Sequence, residues 1–238
     1  SGNTGIAYAM LSAAMGFKLV LCLPKNANAE RKRTLLAYGA ELILTDPNDG
    51  SDGAIKEARR LAQKHPDYYY ADQYSNESNW RAHFETTGPE LVQQTQGAIT
   101  HFVVGLGTSG TCMGVGRYLR SHIPDATIVS FEPDSPFHGL EGMKHMATAI
   151  VPQIYDANIA HMNVSCETES AYRTLFQLGK QEGLFVGISS AAATHVALEV
   201  GKQQAALGKP ATIVALCPDG GNRYLSEHFW SEELETIE

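Results

Sequence analysis

Short apolar runs alternate with helix-period segments along the chain, and this alternation constrains the fold more than any other feature. Residues 18–23 (K-L-V-L-C-L) and 41–45 have the length and composition of buried strands, and residues 68–70 open a third. Residues 29–39 and 54–65 place apolar side chains at helical spacing, the first stopped by Gly39. The pattern resumes with strands ending at Gly105, at 127–132, 162–165 and 211–217, and with helices at 112–119, 167–182 and 191–207. Strands joined through helices form βαβ units and a parallel sheet. Residues 80–97 read as helical with a break at Gly88-Pro89, and a domain hinge is expected near there. That gives a smaller α/β domain over 1–85 and a larger one over 86–238.

The most informative junction is 102–111, F-V-V-G-L-G-T-S-G-T. Gly105, Gly107 and Gly110 permit positive φ and close backbone approach. The exposed N–H groups of a helix start, with the positive end of its dipole, favour an anion and above all a phosphate. Thr108, Ser109 and Thr111 add hydroxyl donors. Three readings share these residues. One is a tight turn that binds nothing. A second is a phosphate cradle. The third is a G-x-G-x-x-G nucleotide loop, with Glu132 at the end of the next strand as the ribose-binding acid. Two more polar loops precede helices, S-G-N-T-G at 1–5 and G-I-S-S at 187–190. The first is also readable as an ordinary N-cap by Asn3 or Thr4. In parallel sheets such loops gather at the C-terminal edge, where ligands bind.

A net charge of -8 argues against nonspecific binding to nucleic acid or anionic membranes. No apolar run is long enough to span a bilayer. Cys22, Cys112, Cys166 and Cys217 are widely spaced, with no C-x-x-C pair, as in a cytoplasmic protein with reduced thiols. Residues 133–152 are rich in Pro, Gly, His and Met and poor in periodicity, which marks a lid or binding segment. His138, Glu141 and His145 within it match no zinc spacing, so no metal is expected.

Seven stretches, in order, resemble the cysteine synthases (O-acetylserine sulfhydrylases), a family of fold-type II pyridoxal-phosphate enzymes that includes cystathionine β-synthase. They are S-G-N-T-G at 1–5, L-L-A-Y-G-A-E ending at 41, D-Q-Y-S-N at 72–76, T-T-G-P-E at 86–90, G-T-S-G-T at 107–111, G-I-S-S at 187–190 and D-G-G-N-R-Y at 219–224. The resemblance spans essentially the whole chain, whereas the nucleotide reading explains only the central loop and Glu132. It implies a tryptophan-synthase-β-like α/β fold: two domains with parallel or mixed sheets wrapped by helices.

The resemblance also implies roles. Gly107, Thr108, Ser109, Gly110 and Thr111 would cradle the phosphate of pyridoxal 5′-phosphate, and Asn3 would bond its ring hydroxyl. Ser1, Asn3, Thr4 and Gln73 would bind the amino-acid substrate, chiefly through its α-carboxylate. Ser189 would face the pyridine nitrogen, where a neutral hydroxyl makes a milder electron sink than a carboxylate and suits β-elimination. The implied reaction is a β-replacement that turns O-acetylserine, or O-phosphoserine, and sulfide into L-cysteine. Residues 133–152 would form a mobile wall over the substrate. Lys144 within it is read as a solvated surface residue, or else as a cation favouring an anionic leaving group. Implied partners are a second copy of the chain and serine acetyltransferase.

Two departures matter. Ala191 stands where the family usually has glycine. The lysine that links the cofactor lies upstream of S-G-N-T-G in the family, and Lys18, Lys25 and Lys32 are outside that motif. The chain is therefore expected to be N-terminally truncated, to lack an identifiable catalytic residue, and to bind the cofactor weakly by itself. The alternatives are a cystathionine β-synthase-type reaction, a sulfhydrylase-like protein without catalysis, and a nucleotide-binding oxidoreductase.

Overall fold

The computed structural model describes residues 2–231. They fall into two compact units. One comprises the residues up to Ala71 together with those from Gly221 onward, and the other is Asp72–Gly220. The division thus follows Ala71 rather than residue 85, and the helical run around residue 85 packs on helices of the second unit. The segment after Gly221 joins the first unit: Asn28 caps a helix there by accepting from Arg31 N–H, while its Nδ2 donates to the carbonyl of Arg223 at 3.0 Å.

In the first unit, helix α1 (Asn3–Met15) leads to strand β1 (Val20–Pro24), helix α2 (Ala29–Ala37), strand β2 (Glu41–Thr45) and helix α3 (Gly50–Lys64). β1 and β2 pair in parallel, Val20 opposite Glu41 and Pro24 opposite Thr45. Ala9, Leu23, Leu35 and Ala40 form the core beneath them. The third strand expected at 68–70 does not form. Tyr69 is exposed and Tyr68 stacks on His65, so this stretch lacks the burial that would hold a strand against the pair.

The second unit opens with helix α4 (Ser78–Ala82), a π-helical turn (His83–Thr87) and helix α5 (Gly88–Gln94). The break expected at Gly88-Pro89 is absent. Gly88 N–H reaches back to the carbonyl of His83, and this wider turn lets Pro89, which has no N–H, begin α5 without ending the helix. Strand β3 (His101–Gly105) is followed by helix α6 (Gly110–His122), strand β4 (Thr127–Pro133), strand β5 (Met162–Cys166), helix α7 (Thr168–Gln177), helix α8 (Ile188–Ala206) and strand β6 (Ile213–Ala215). The sheet is parallel throughout, in the order β5-β4-β3-β6. Phe102 and Val104 on β3, Cys112, Val115 and Leu119 on α6, and Ile128 on β4 make its core. β6 is shorter than the expected 211–217 and only half buried, since it has β3 on one side and no strand on the other among the described residues.

Candidate functional site

β3 is the inner strand that carries the glycine loop, so the loop leaves the sheet at its C-terminal edge between β4 and β6. Leu106 is fully buried and fixes the start of the turn. Ser109 takes a left-handed conformation, φ 67 and ψ -4, which turns the chain into α6. It is 3% exposed, and its hydroxyl oxygen is buried with no hydrogen-bond partner. Two glycines are sterically compelled. A β-carbon on Gly107 would lie 2.5 Å from the carbonyl oxygen of Gly142, and one on Gly110 would lie 2.0 Å from Oδ1 of Asn79.

Residues outside the loop hold its hydroxyls. Asn79 Nδ2 donates to Thr108 Oγ1 at 3.0 Å and to the carbonyl of Gln73 at 2.7 Å. Gln73 sits in a turn closed by Ser75 and Asn76 N–H groups on the Asp72 carbonyl, with Asp72 at φ 37. Thr111 Oγ1 meets His83 Nε2 at 3.2 Å, and His83 Nδ1 meets Thr87 Oγ1 at 2.9 Å. Burial holds the His83 imidazole below its ordinary pKa, so it is neutral near pH 7. Asn79, His83 and Thr87 were not singled out as functional from sequence. Thr87 lies in T-T-G-P-E and Asn79 just beyond D-Q-Y-S-N, but nothing in a helical pattern separates a loop-bracing histidine from a surface one.

The segment expected to be a mobile wall is pinned over 139–146. Gly139 N–H donates to Thr168 Oγ1, Lys144 N–H to the carbonyl of Leu106 at 2.8 Å, and Met146 N–H to Glu132 Oε2 at 2.6 Å. Leu140 is fully buried, and Gly142 sits at φ 85 with its carbonyl against Gly107. Asn163 Nδ2 occupies the other carboxylate oxygen of Glu132, so that side chain holds the segment and the edge strand. A ribose-binding role would require it to release both. Lys144 is 3% exposed, not solvated, with Nζ 5.3 Å from the Tyr74 ring centroid. Among the described residues no three His, Cys, Asp or Glu side chains are grouped to hold a metal. His145 Nδ1 instead meets Thr148 Oγ1 at 2.9 Å, and burial keeps half-buried His138 below its ordinary pKa.

At the start of α8, Ser189 is half buried, whereas Ser190 is fully buried and donates to the Asp219 carbonyl at 3.2 Å. The run before it is no strand: Val186 makes a single antiparallel bridge to Gly220. Ala191 is fully buried, so its methyl is accommodated by the helix packing. In the first unit α1 begins at Asn3, after Gly2 at φ 78, with no side-chain cap. Asn3 is exposed and its Oδ1 accepts from Arg223 of D-G-G-N-R-Y, while Thr4 is half buried one residue further into the helix. Ser1 lies outside the described residues.

The donor set at 107–111 fits a phosphate group. It offers a helix N-terminus, a buried hydroxyl on Ser109 without a protein partner, and the Thr108 and Thr111 hydroxyls held from behind. A parallel α/β sheet with this cradle after an inner strand defines the class, an α/β protein that binds a phosphate-bearing ligand. Residues 1–219 match the model of the pyridoxal-phosphate dependent enzymes, and the chain belongs to that family. It is 46% identical over 234 residues to "Cysteine synthase" of Aquifex aeolicus, covering 98% of this chain and 72% of that protein. Among solved structures it resembles a cysteine synthase from Entamoeba histolytica, at TM-score 0.86 and 31% identity, covering 97% of this chain and 69% of that one. An O-acetylserine-dependent cystathionine β-synthase from Helicobacter pylori gives TM-score 0.87 and 31% identity, covering 96% and 76%.

Proposed function

We propose that the protein, with pyridoxal phosphate bound, makes L-cysteine by β-replacement from O-acetylserine and sulfide. The cradle at 107–111 carries this reading, since its Ser109 hydroxyl is buried at a helix N-terminus without a protein partner, where the phosphate of the family's cofactor would satisfy it. When bound, the cofactor supplies the electron sink that makes loss of an α-proton and a β-leaving group feasible. The chain's own residues do the rest. Gly107, Thr108, Ser109, Gly110 and Thr111 hold the phosphate. Asn3 bonds the ring hydroxyl, and Ser189 offers the ring nitrogen a neutral hydroxyl. Ser1, Thr4 and Gln73 grip the substrate α-carboxylate, and residues 139–146 exclude water. A homodimer, a cytoplasmic location and association with serine acetyltransferase complete the reading.

Assay of the full-length protein with O-acetylserine and sulfide tests it. Cysteine formation that requires pyridoxal phosphate is expected, and a cofactor-loaded protein that makes no cysteine would sink it. The cystathionine β-synthase alternative draws support from the Helicobacter pylori likeness. Homocysteine in place of sulfide as the faster acceptor would select it.

Lys144 is buried with its N–H on the carbonyl of Leu106 at the start of the loop, and a cation there would favour an anionic leaving group. Lys144→Met is expected to lower kcat/KM for O-phosphoserine at least tenfold more than for O-acetylserine, a difference of about 1.4 kcal/mol. Equal losses on the two substrates would remove Lys144 from leaving-group choice.

A further inference from the structure

Thr108 Oγ1 has two neighbours that can only donate to it, Asn79 Nδ2 at 3.0 Å and the Gly110 N–H at 3.3 Å. A threonine hydroxyl carries two acceptor sites and one proton. With both acceptor sites taken, the proton must point away from Asn79 and Gly110. Thr108 donates to no other group among the described residues. We infer that Asn79 is a positioning residue that fixes Thr108 as an obligate donor to an anion in the loop, and so sets the affinity of the cradle for phosphate.

The geometry gives Asn79 little other freedom. Its Nδ2 is also committed to the Gln73 carbonyl at 2.7 Å, which settles which end of the amide faces Thr108. Its Oδ1 lies over the α-carbon of Gly110, where a β-carbon would come within 2.0 Å. The glycine therefore makes room for Asn79, and Asn79 orients Thr108. An aspartate there would reverse the bond: its carboxylate would accept the Thr108 proton and place a negative charge behind the phosphate.

The inference rests on the reading of 107–111 as the phosphate cradle, and the test separates the two. Full-length protein stripped of cofactor is titrated with pyridoxamine 5′-phosphate, which reports the non-covalent grip. The ³¹P resonance of the holoenzyme is recorded alongside. Thr108→Val is expected to weaken binding about tenfold, the scale of a hydrogen bond to a charged group. Asn79→Ala should weaken it by a similar factor and shift the ³¹P resonance, and Asn79→Asp should weaken it further. In the double variant of Asn79→Ala with Thr108→Val the two losses should not multiply, since both remove one donor. If Thr108→Val binds like the parent protein, the cradle reading fails at Thr108. If it weakens binding while Asn79→Ala does not, or if the two losses multiply, the role given to Asn79 is wrong. Asn79→Ser replaces the alanine variant if circular dichroism shows that the latter does not fold.

Discussion

A β-carbon on Gly110 would meet the far end of the Asn79 side chain, whereas one on Gly107 would meet a backbone carbonyl. The two substitutions should therefore behave differently. Asn79 can move only by giving up its bonds to Thr108 and the Gln73 carbonyl, so Gly110→Ala should cost about 1 kcal/mol of stability and loosen phosphate binding. The Gly142 carbonyl is tied into the pinned segment, so Gly107→Ala should cost about 1–3 kcal/mol, the usual range for overpacking. Urea unfolding of both variants, read beside cofactor titration, checks the contrast. His83 yields a pH prediction. Its folded pKa lies below its unfolded value, so the unfolded state binds more protons as pH falls. Its contribution is fully present above the unfolded value, about 6.5. It is lost progressively as pH falls through that value toward the lower folded one. His83→Gln should flatten the fall in stability as pH drops below about 6.5 relative to the parent protein, in urea unfolding at a series of pH values.

Between elements, α6 crosses the 78–87 helical run closely at Gly114. A β-carbon on Gly114 would lie 2.2 Å from the carbonyl of Trp80 and 2.6 Å from the His83 β-carbon. Replacing this glycine with alanine gains about 1 kcal/mol in helix propensity and loses about 1–3 kcal/mol or more to overpacking. Neither contact can swing aside, because one is backbone and the other is a β-carbon on a π-turn. The loss should win, and Gly114→Ala should be net destabilising by ~1–2 kcal/mol in thermal or urea unfolding. Because His83 rides on the displaced helix, its burial should decrease as well, visible as a raised His83 pKa in an imidazole NMR titration.

At the scale of the whole molecule, the cysteines report each unit separately. Among the described residues all four are free thiols. Cys217 is exposed, Cys22 is half buried in β1, and Cys112 and Cys166 are buried. Burial pushes the Cys112 thiol up to about 12 and the Cys22 and Cys166 thiols up to about 11. Since the thiolate is the reactive form, labelling of the native protein near pH 8 should modify Cys217 first and Cys22 much more slowly. Cys112 and Cys166 should react only when the unit Asp72–Gly220 opens. Mass spectrometry of peptides after timed alkylation reads this order, and early modification of Cys112 would show that α6 is not stably packed.

The local pattern of residues determined most of the elements. Apolar runs and helical spacing place β1, β2, β4 and β5 and the helices within a few residues, because those signals depend only on near neighbours. It likewise located the loop at 107–111, since glycines beside hydroxyl residues after a buried strand leave few other structures. Only tertiary structure decided the rest. Residues 68–70 look like a strand but have no buried face to occupy, and Pro89 looks like a helix stop but is absorbed by a π-turn. Residues 139–146 lack periodicity, yet Leu106, Glu132 and Thr168 fix their backbone from three other parts of the chain. Lys144 reads as a surface cation until that fixing buries it. Asn79 stands 29 positions before Thr108, and only the packing of α4 on α6 brings them within 3.0 Å. Partners this far apart leave no periodic trace in the sequence, because what joins them is the path of the backbone rather than its local geometry.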